Sequence, residues 1–193
     1  MRRVGLFGGT FNPIHVGHLA VAQMAQEAMK LDKIIFIPSN WPPHKHADVL
    51  APARHRYNMV RLAIANNPAF GISDYEIRKE GKSYTIDTLR YFRRIYPKET
   101  RLFFIIGGDT LPQLKTWKYI DSILTMATFI VVNRPGQFKK STGIKRIKYY
   151  AVSMQGIDIS SSYIRKKIRT GKTVRYYVFD QVLRYIQKHK LYQ

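Results

Sequence analysis

The chain predicts an α/β fold, a doubly wound parallel sheet with helices on both faces and a small helical part at its C-terminal end. Short continuous apolar runs such as Lys33 to Ile37 and Leu102 to Ile106 alternate with segments of helical periodicity. Strands buried on both faces read as unbroken apolar runs, and strand–helix alternation builds parallel sheets. Two of the runs end in glycine pairs, Gly8-Gly9 and Gly107-Gly108. In open parallel sheets ligands bind beyond the carboxyl ends of the strands, where backbone must come close to them.

Each element has its own signal. Arg3 to Phe7 reads as a buried strand. Val16 to Lys30 reads as a helix, with Gln23, Gln26, Glu27 and Lys30 as its polar stripe. Lys33 to Ile37 is a strand stopped by Pro38. Pro42, Pro43 and Pro52 make residues 39–52 a loop. The spacing of Met59, Val60, Ala63 and Ile64 predicts a helix over Arg54 to Asn66, and Phe70 to Ser73 a third strand. Thr85 to Tyr96 is a helix with Ile86, Leu89, Phe92 and Ile95 facing inward, ended by Pro97. Leu102 to Ile106, Thr128 to Val132 and Arg146 to Tyr150 complete six strands. Ser161 to Thr170 and Val178 to His189 are the closing helices. The order is Rossmann-like. Residues 1–193 form one domain, with a soft boundary near residue 155 before the closing helices.

Composition narrows the function. The 193 residues suit one domain, and 45% hydrophobic content suffices for a sizeable core. No apolar run approaches the length of a membrane span, and the N-terminal run is too short for a signal peptide. Without cysteine there are no disulfides, thiolate metal sites or cysteine nucleophiles. A cytoplasmic location fits. Thirty-three Lys and Arg against twelve Asp and Glu give a net charge of +21. That field attracts anions, phosphorylated metabolites and nucleic acid alike. The basic residues are spread out rather than gathered in a tail, which reads as a solvated surface.

The most informative stretch is GGTFNPIHVGH, Gly8 to His18. Glycines after a strand allow close approach to phosphate. His15 and His18, three apart where a loop enters a helix, can donate to a second anionic group. The stretch lacks the G-x-G-x-x-G spacing of dinucleotide sites, and no G-x-x-x-x-G-K-[ST] occurs. A second stretch, IDISSSYIRKKI, begins at Ile157. Ser160 or Ser161 can cap a helix whose first amides face a phosphate, with Arg165 beside it. PPHK puts Lys45 on the proline-stiffened loop, where a lysine can reach a phosphoryl group. In KSYTIDTL, Thr85 could cap a helix, and the amides of Tyr84 and Thr85 could hold a carboxylate. In GGDTLPQLKTW, Asp109 suits a ribose hydroxyl and Trp117 can stack on an electron-poor ring.

GGTFNPIHVGH resembles the first signature of the HxGH nucleotidyltransferase superfamily, and ISSSYIR its second, with Ser162 where threonine is usual. With PPHK, SYTIDTL, GGDTLPQLKTW and NRPG, the chain resembles bacterial nicotinate mononucleotide adenylyltransferases over nearly its whole length. Asn12 stands where related motifs often carry aspartate, and Ile14 where they often carry proline.

The resemblance implies transfer of AMP from ATP to nicotinate mononucleotide in NAD biosynthesis. It makes His15, His18, Lys45 and Arg165 the catalytic residues. It places Gly8, Gly9, Thr10, Phe11, Gly107, Asp109, Ile159, Ser160, Ser161 and Ser162 at ATP. It places Asn40, Tyr84, Thr85, Gly108, Trp117 and Arg134 at the mononucleotide. Mg²⁺ is the implied cofactor, held mainly by substrate phosphates and water, and no residue is assigned as a metal ligand. ATP and nicotinate mononucleotide are the implied partners. No obligate protein partner, membrane or nucleic acid is expected, and homodimerisation is left open. The competing readings are a related adenylyltransferase using nicotinamide mononucleotide or phosphopantetheine, and a basic RNA-binding protein.

Overall fold

The computed structural model describes residues 1–41, 50–79, 81–133, 144, 147–153, 156 and 159–193. Lys45, Arg134 and Ile157 lie outside the described residues. The strands are β1 (Arg3–Gly9), β2 (Lys33–Pro38), β3 (Phe70–Ile72), β4 (Arg101–Gly107), β5 (Thr128–Asn133) and β6 (Tyr149–Ser153). They pair in the order β3-β2-β1-β4-β5-β6, every pair parallel. The order reverses between β1 and β4, and such a switch opens a crevice at the carboxyl ends of the two strands. Gly9 of β1 and Gly107 of β4 stand on its two rims.

The helices are α1 (Val16–Met29), α2 (Ala53–Ile64), α3 (Tyr75–Arg78), α4 (Thr85–Ile95), α5 (Ile120–Met126), α6 (Ser161–Arg169) and α7 (Asp180–Lys188). A 3₁₀ helix spans Leu111–Thr116. Side chains alternate along β2 to build two cores. Ile34 and Phe36 join Ala22, Met59, Ile164 and Val182 from α1, α2, α6 and α7. Ile35 and Ile37 join Ile86, Leu89 and Ile123 from α4 and α5. Helices therefore cover both faces, as the unbroken apolar strands predict.

Three local expectations need correction. Ile95 is 53% exposed, not inward. Nine residues beyond Ile86, a helix has turned it about half a revolution away. Arg93 turns inward instead, its guanidinium donating to the Met126 and Thr100 carbonyls. The sixth strand runs from Tyr149 to Ser153 rather than ending at Tyr150, because pairing with β5 continues to Ser153. It is an edge strand with only Val152 buried, so its apolar signal is weak. Thr85 does not cap α4: the cap position is Tyr84, with no side-chain bond. The helices α3 and α5 and the 3₁₀ turn, at four to seven residues, are too short to show a period.

Candidate active site

The histidine stretch folds into the turn between β1 and α1. His15 is the residue before α1, and the N-terminal amide of the helix at Val16 donates to the Tyr177 carbonyl at 3.0 Å. The His15 N–H donates to Nδ1 of His18 at 3.3 Å. A backbone N–H can only donate, so the neutral His18 ring carries its proton on Nε2. The two rings lie 3.7 Å apart between centroids, with 33° between planes. His15 is buried at 2% exposure and His18 is half-buried. The rings thus lie in close, tilted contact, with His18 the more accessible donor.

Phe11 supports this pair from beneath. Its ring meets His18 edge-on at 5.1 Å and Phe7 at 5.5 Å. A Cβ on Gly9 would stand 2.8 Å from the Phe11 ring, so glycine is what admits the phenyl group. Phe11 holds a left-handed φ of 46°, a costly conformation for a bulky residue that persists only where surroundings impose it. At 2% exposure its ring is closed to a ligand, so Phe11 can offer ATP only backbone.

The start of α6 closes against the same turn. Ser160 caps the helix, its Oγ accepting from the Tyr163 N–H at 3.2 Å. Ser161 Oγ donates to the Pro13 carbonyl at 2.9 Å. Ser162 Oγ accepts from Arg165 Nη2 at 3.2 Å, and Arg165 Nη1 donates to the Asn12 carbonyl at 2.9 Å. Arg165 Nε is buried with no protein partner among the described residues. Burial is the main influence lowering the Arg165 pKa, with Arg169 acting the same way and Tyr192 opposing. The serines thus divide their work: Ser160 caps, Ser161 docks the helix on the motif and Ser162 orients Arg165. Ile159 packs against the adjoining core.

Beside this cluster lies a cavity of about 240 Å³, lined by Gly8, Gly9, Thr10, Ser39, Glu76, Ser83, Thr85, Gly107, Thr110 and Trp117 among others. Trp117 meets Phe104 and Phe129 edge-on at 6.0 and 6.1 Å and is half-buried, forming part of the wall. Thr85, the first residue of α4, lines the same cavity, and the Lys118 ammonium sits 5.1 Å over the ring of the preceding Tyr84. Asp109, exposed, follows the two glycines of β4.

Two expected ligand contacts are otherwise engaged. Gly108 is buried, its N–H donates to the Val132 carbonyl at 3.0 Å, and Asn133 Oδ1 packs where a Cβ would stand. Gly108 is therefore glycine to admit Asn133. The Asn40 side chain donates to the Lys79 carbonyl at 3.2 Å, and its N–H donates to Ser83 Oγ at 3.1 Å. Its amide thus braces the loop leading to α4.

Three residues carry no role in the sequence reading and prove central. Arg56, 1% exposed, donates to the carbonyls of Ala51, Thr10, Ser39 and Asn40 at 2.9, 2.9, 2.6 and 2.9 Å. It ties the tips of β1 and β2 to the start of α2. Burial pulls its pKa down, and no carboxylate pairs with it among the described residues. Its sequence signal is a cation one turn before Met59 and Val60 on the buried face of α2. Glu76 sits in four-residue α3, 7% exposed, and accepts from Thr88 Oγ1 at 2.6 Å. Burial raises its pKa, opposed by hydrogen bonds from Thr88 and Ser83. Tyr192, next to the last residue, donates to Asn12 Oδ1 at 2.8 Å.

Residues 6–167 match the family described as cytidylyltransferase-like. A protein of Thermoanaerobacter sp. strain X514 is 40% identical, over 99% of this chain and 94% of its own length. One of Thermus thermophilus is 42% identical, over 99% of this chain and 100% of its own. Both carry the name "Probable nicotinate-nucleotide adenylyltransferase". The chain belongs to the nicotinate-nucleotide adenylyltransferase family. Its fold also matches that family's: the Plasmodium falciparum nicotinic acid mononucleotide adenylyltransferase complexed with NaAD superposes with a TM-score of 0.83. That match has 23% identity and covers 100% of this chain and 98% of the other. Among the described residues no helix is long and apolar enough to cross a membrane.

Proposed function

We propose that this adenylyltransferase joins ATP to nicotinate mononucleotide, releasing pyrophosphate and nicotinate adenine dinucleotide, a step of NAD biosynthesis. One observation carries the assignment of the site. The His15–His18 pair, the Arg165 guanidinium and the capped start of α6 meet beyond β1, beside a separate cavity walled by Trp117. A cluster of His15, His18 and Arg165 beside a cavity with an aromatic wall suits a triphosphate next to a mononucleotide.

An oxygen of the mononucleotide 5′-phosphate attacks the α-phosphorus of ATP. The new P–O bond forms as the bond from Pα to the bridging oxygen of the β-phosphate breaks. The nucleophile is already anionic near neutral pH, so no general base is needed. The chain's part is alignment and neutralisation of charge that moves onto the leaving pyrophosphate. His18 Nε2–H and Arg165 donate to that charge, and the free amides of α6 add a positive dipole end. The family resemblance would make Lys45, in the PPHK stretch, a further cation for the reacting phosphates. Asp109 accepts from a ribose hydroxyl. The resemblance would bring Arg134, in NRPG, to the nucleotide.

Trp117 stacks on the pyridine ring, and the amides of Tyr84 and Thr85 donate to its carboxylate. A neutral amide substituent would gain less there, because charged acceptors make the stronger bonds. Among the described residues no group of three or more His, Asp or Glu converges as a metal site. Magnesium would be held by the substrates' phosphates and water, and would there neutralise pyrophosphate.

The test is pyrophosphate release from ATP with nicotinate mononucleotide, nicotinamide mononucleotide and phosphopantetheine as acceptors. A strong preference for the first is expected. Equal rates with the acid and the amide would overturn the acceptor assignment.

A further inference from the structure

Arg165 is held by a chain of contacts that leads to Tyr192. Its Nη1 donates to the Asn12 carbonyl. Asn12 is 2% exposed, and its Oδ1 accepts twice: from the Ala51 N–H at 3.1 Å and from the Tyr192 hydroxyl at 2.8 Å. Because the Ala51 N–H can only donate, the amide must present its oxygen here, and the phenol must be the second donor. Burial raises the Tyr192 pKa against the pull of Arg56 and Arg165, so the phenol keeps its proton at neutral pH.

The tail is built to hold that phenol in place. Leu191 is buried, with its N–H donating to the Ile186 carbonyl at 3.0 Å. On either side, Lys190 and Tyr192 hold left-handed φ values of 49° and 66°. Two such non-glycine residues around one anchored leucine cost energy and persist only where neighbouring contacts impose them.

We propose that Tyr192 is a positioning residue of the nucleotide site. Its phenol clamps the Asn12 side chain, and the clamped Asn12 carbonyl sets the Arg165 guanidinium for the ATP phosphates. The proposal rests on the reading of Arg165 as a phosphate contact. A carbonyl steers an arginine only while its own peptide plane is fixed, and Asn12 is pinned from two sides for that purpose. Residues 190–192 thereby help to set the nucleotide site.

Tyr192→Phe keeps the ring and removes one hydrogen bond. It should lower kcat/KM for ATP about fivefold to tenfold, with KM for nicotinate mononucleotide and the thermal midpoint nearly unchanged. In an Arg165→Ala background the same change should cost nothing further, since the group it positions is gone. An unaltered kcat/KM for ATP in Tyr192→Phe overturns the proposal. So does an equal loss in both backgrounds, which marks a purely structural role. If Arg165→Ala alone leaves kcat/KM for ATP unchanged, the phosphate reading of Arg165 falls, and the proposal falls with it.

Discussion

The backbone N–H of His15 donates to Nδ1 of His18, so one histidine sets the tautomer of the other. The proton this places on Nε2 is the one a departing pyrophosphate would meet. His18→Ala removes it and should lower kcat about a hundredfold to a thousandfold, the cost of one preorganised donor in comparable sites. Turnover by pyrophosphate release, beside a circular-dichroism spectrum showing intact fold, is the check. Near-normal kcat in the folded variant would remove His18 from the mechanism.

Arg56 is a matter of stability before catalysis. Its guanidinium serves four carbonyls, including Thr10 beside the phosphate turn. An ammonium has three donors on one atom and cannot span that fork. Arg56→Lys should therefore leave at least one buried carbonyl unmet and cost about 1–3 kcal/mol, measured by urea unfolding. Arg56→Met should cost more. A Lys variant as stable as the parent would contradict the assignment.

Glu76 predicts a pH dependence. Burial holds its carboxyl above the ordinary value of 4.5 in the folded chain. The unfolded chain gives up that proton at lower pH than the fold does. Stability is fullest below the unfolded value and falls as pH rises through the folded one. Glu76→Gln keeps an acceptor for Thr88 and cannot ionise. It should raise the thermal midpoint at neutral pH, with the gain vanishing below about pH 4.5. A gain independent of pH would assign the effect to packing instead.

If Trp117 stacks on the pyridine ring, its removal should distinguish the two substrates. Trp117→Ala should raise KM for nicotinate mononucleotide about tenfold or more, as loss of ring stacking costs about 1–3 kcal/mol. Trp117→Phe should recover part of that, and KM for ATP should stay put. A matching rise in KM for ATP would mean the indole supports the whole site rather than one ring.

Much of this protein is legible along the chain because its signals are local. An apolar run, a glycine pair and two histidines three apart each need only a few consecutive residues. They suffice for the parallel sheet, the turn after β1 and the capped start of α6 with Arg165 on it. The drift of Ile95 out of the core shows the limit of such patterns: a spacing of three, repeated, loses the helix face.

Other features come from residues that meet only in three dimensions. Asn12 and Tyr192 are 180 positions apart, and no period links them. Arg56 looks like an ordinary helix cation until four carbonyls close around it. Glu76 sits on a helix too short to announce itself. Gly108 looks like a ligand-facing glycine until Asn133 of the next strand occupies its space. The sequence by itself determined the fold class, the family and the histidine turn at the tip of β1. Only the tertiary structure decided which groups hold that turn still, because burial and long-range hydrogen bonds exist only once the chain has closed on itself.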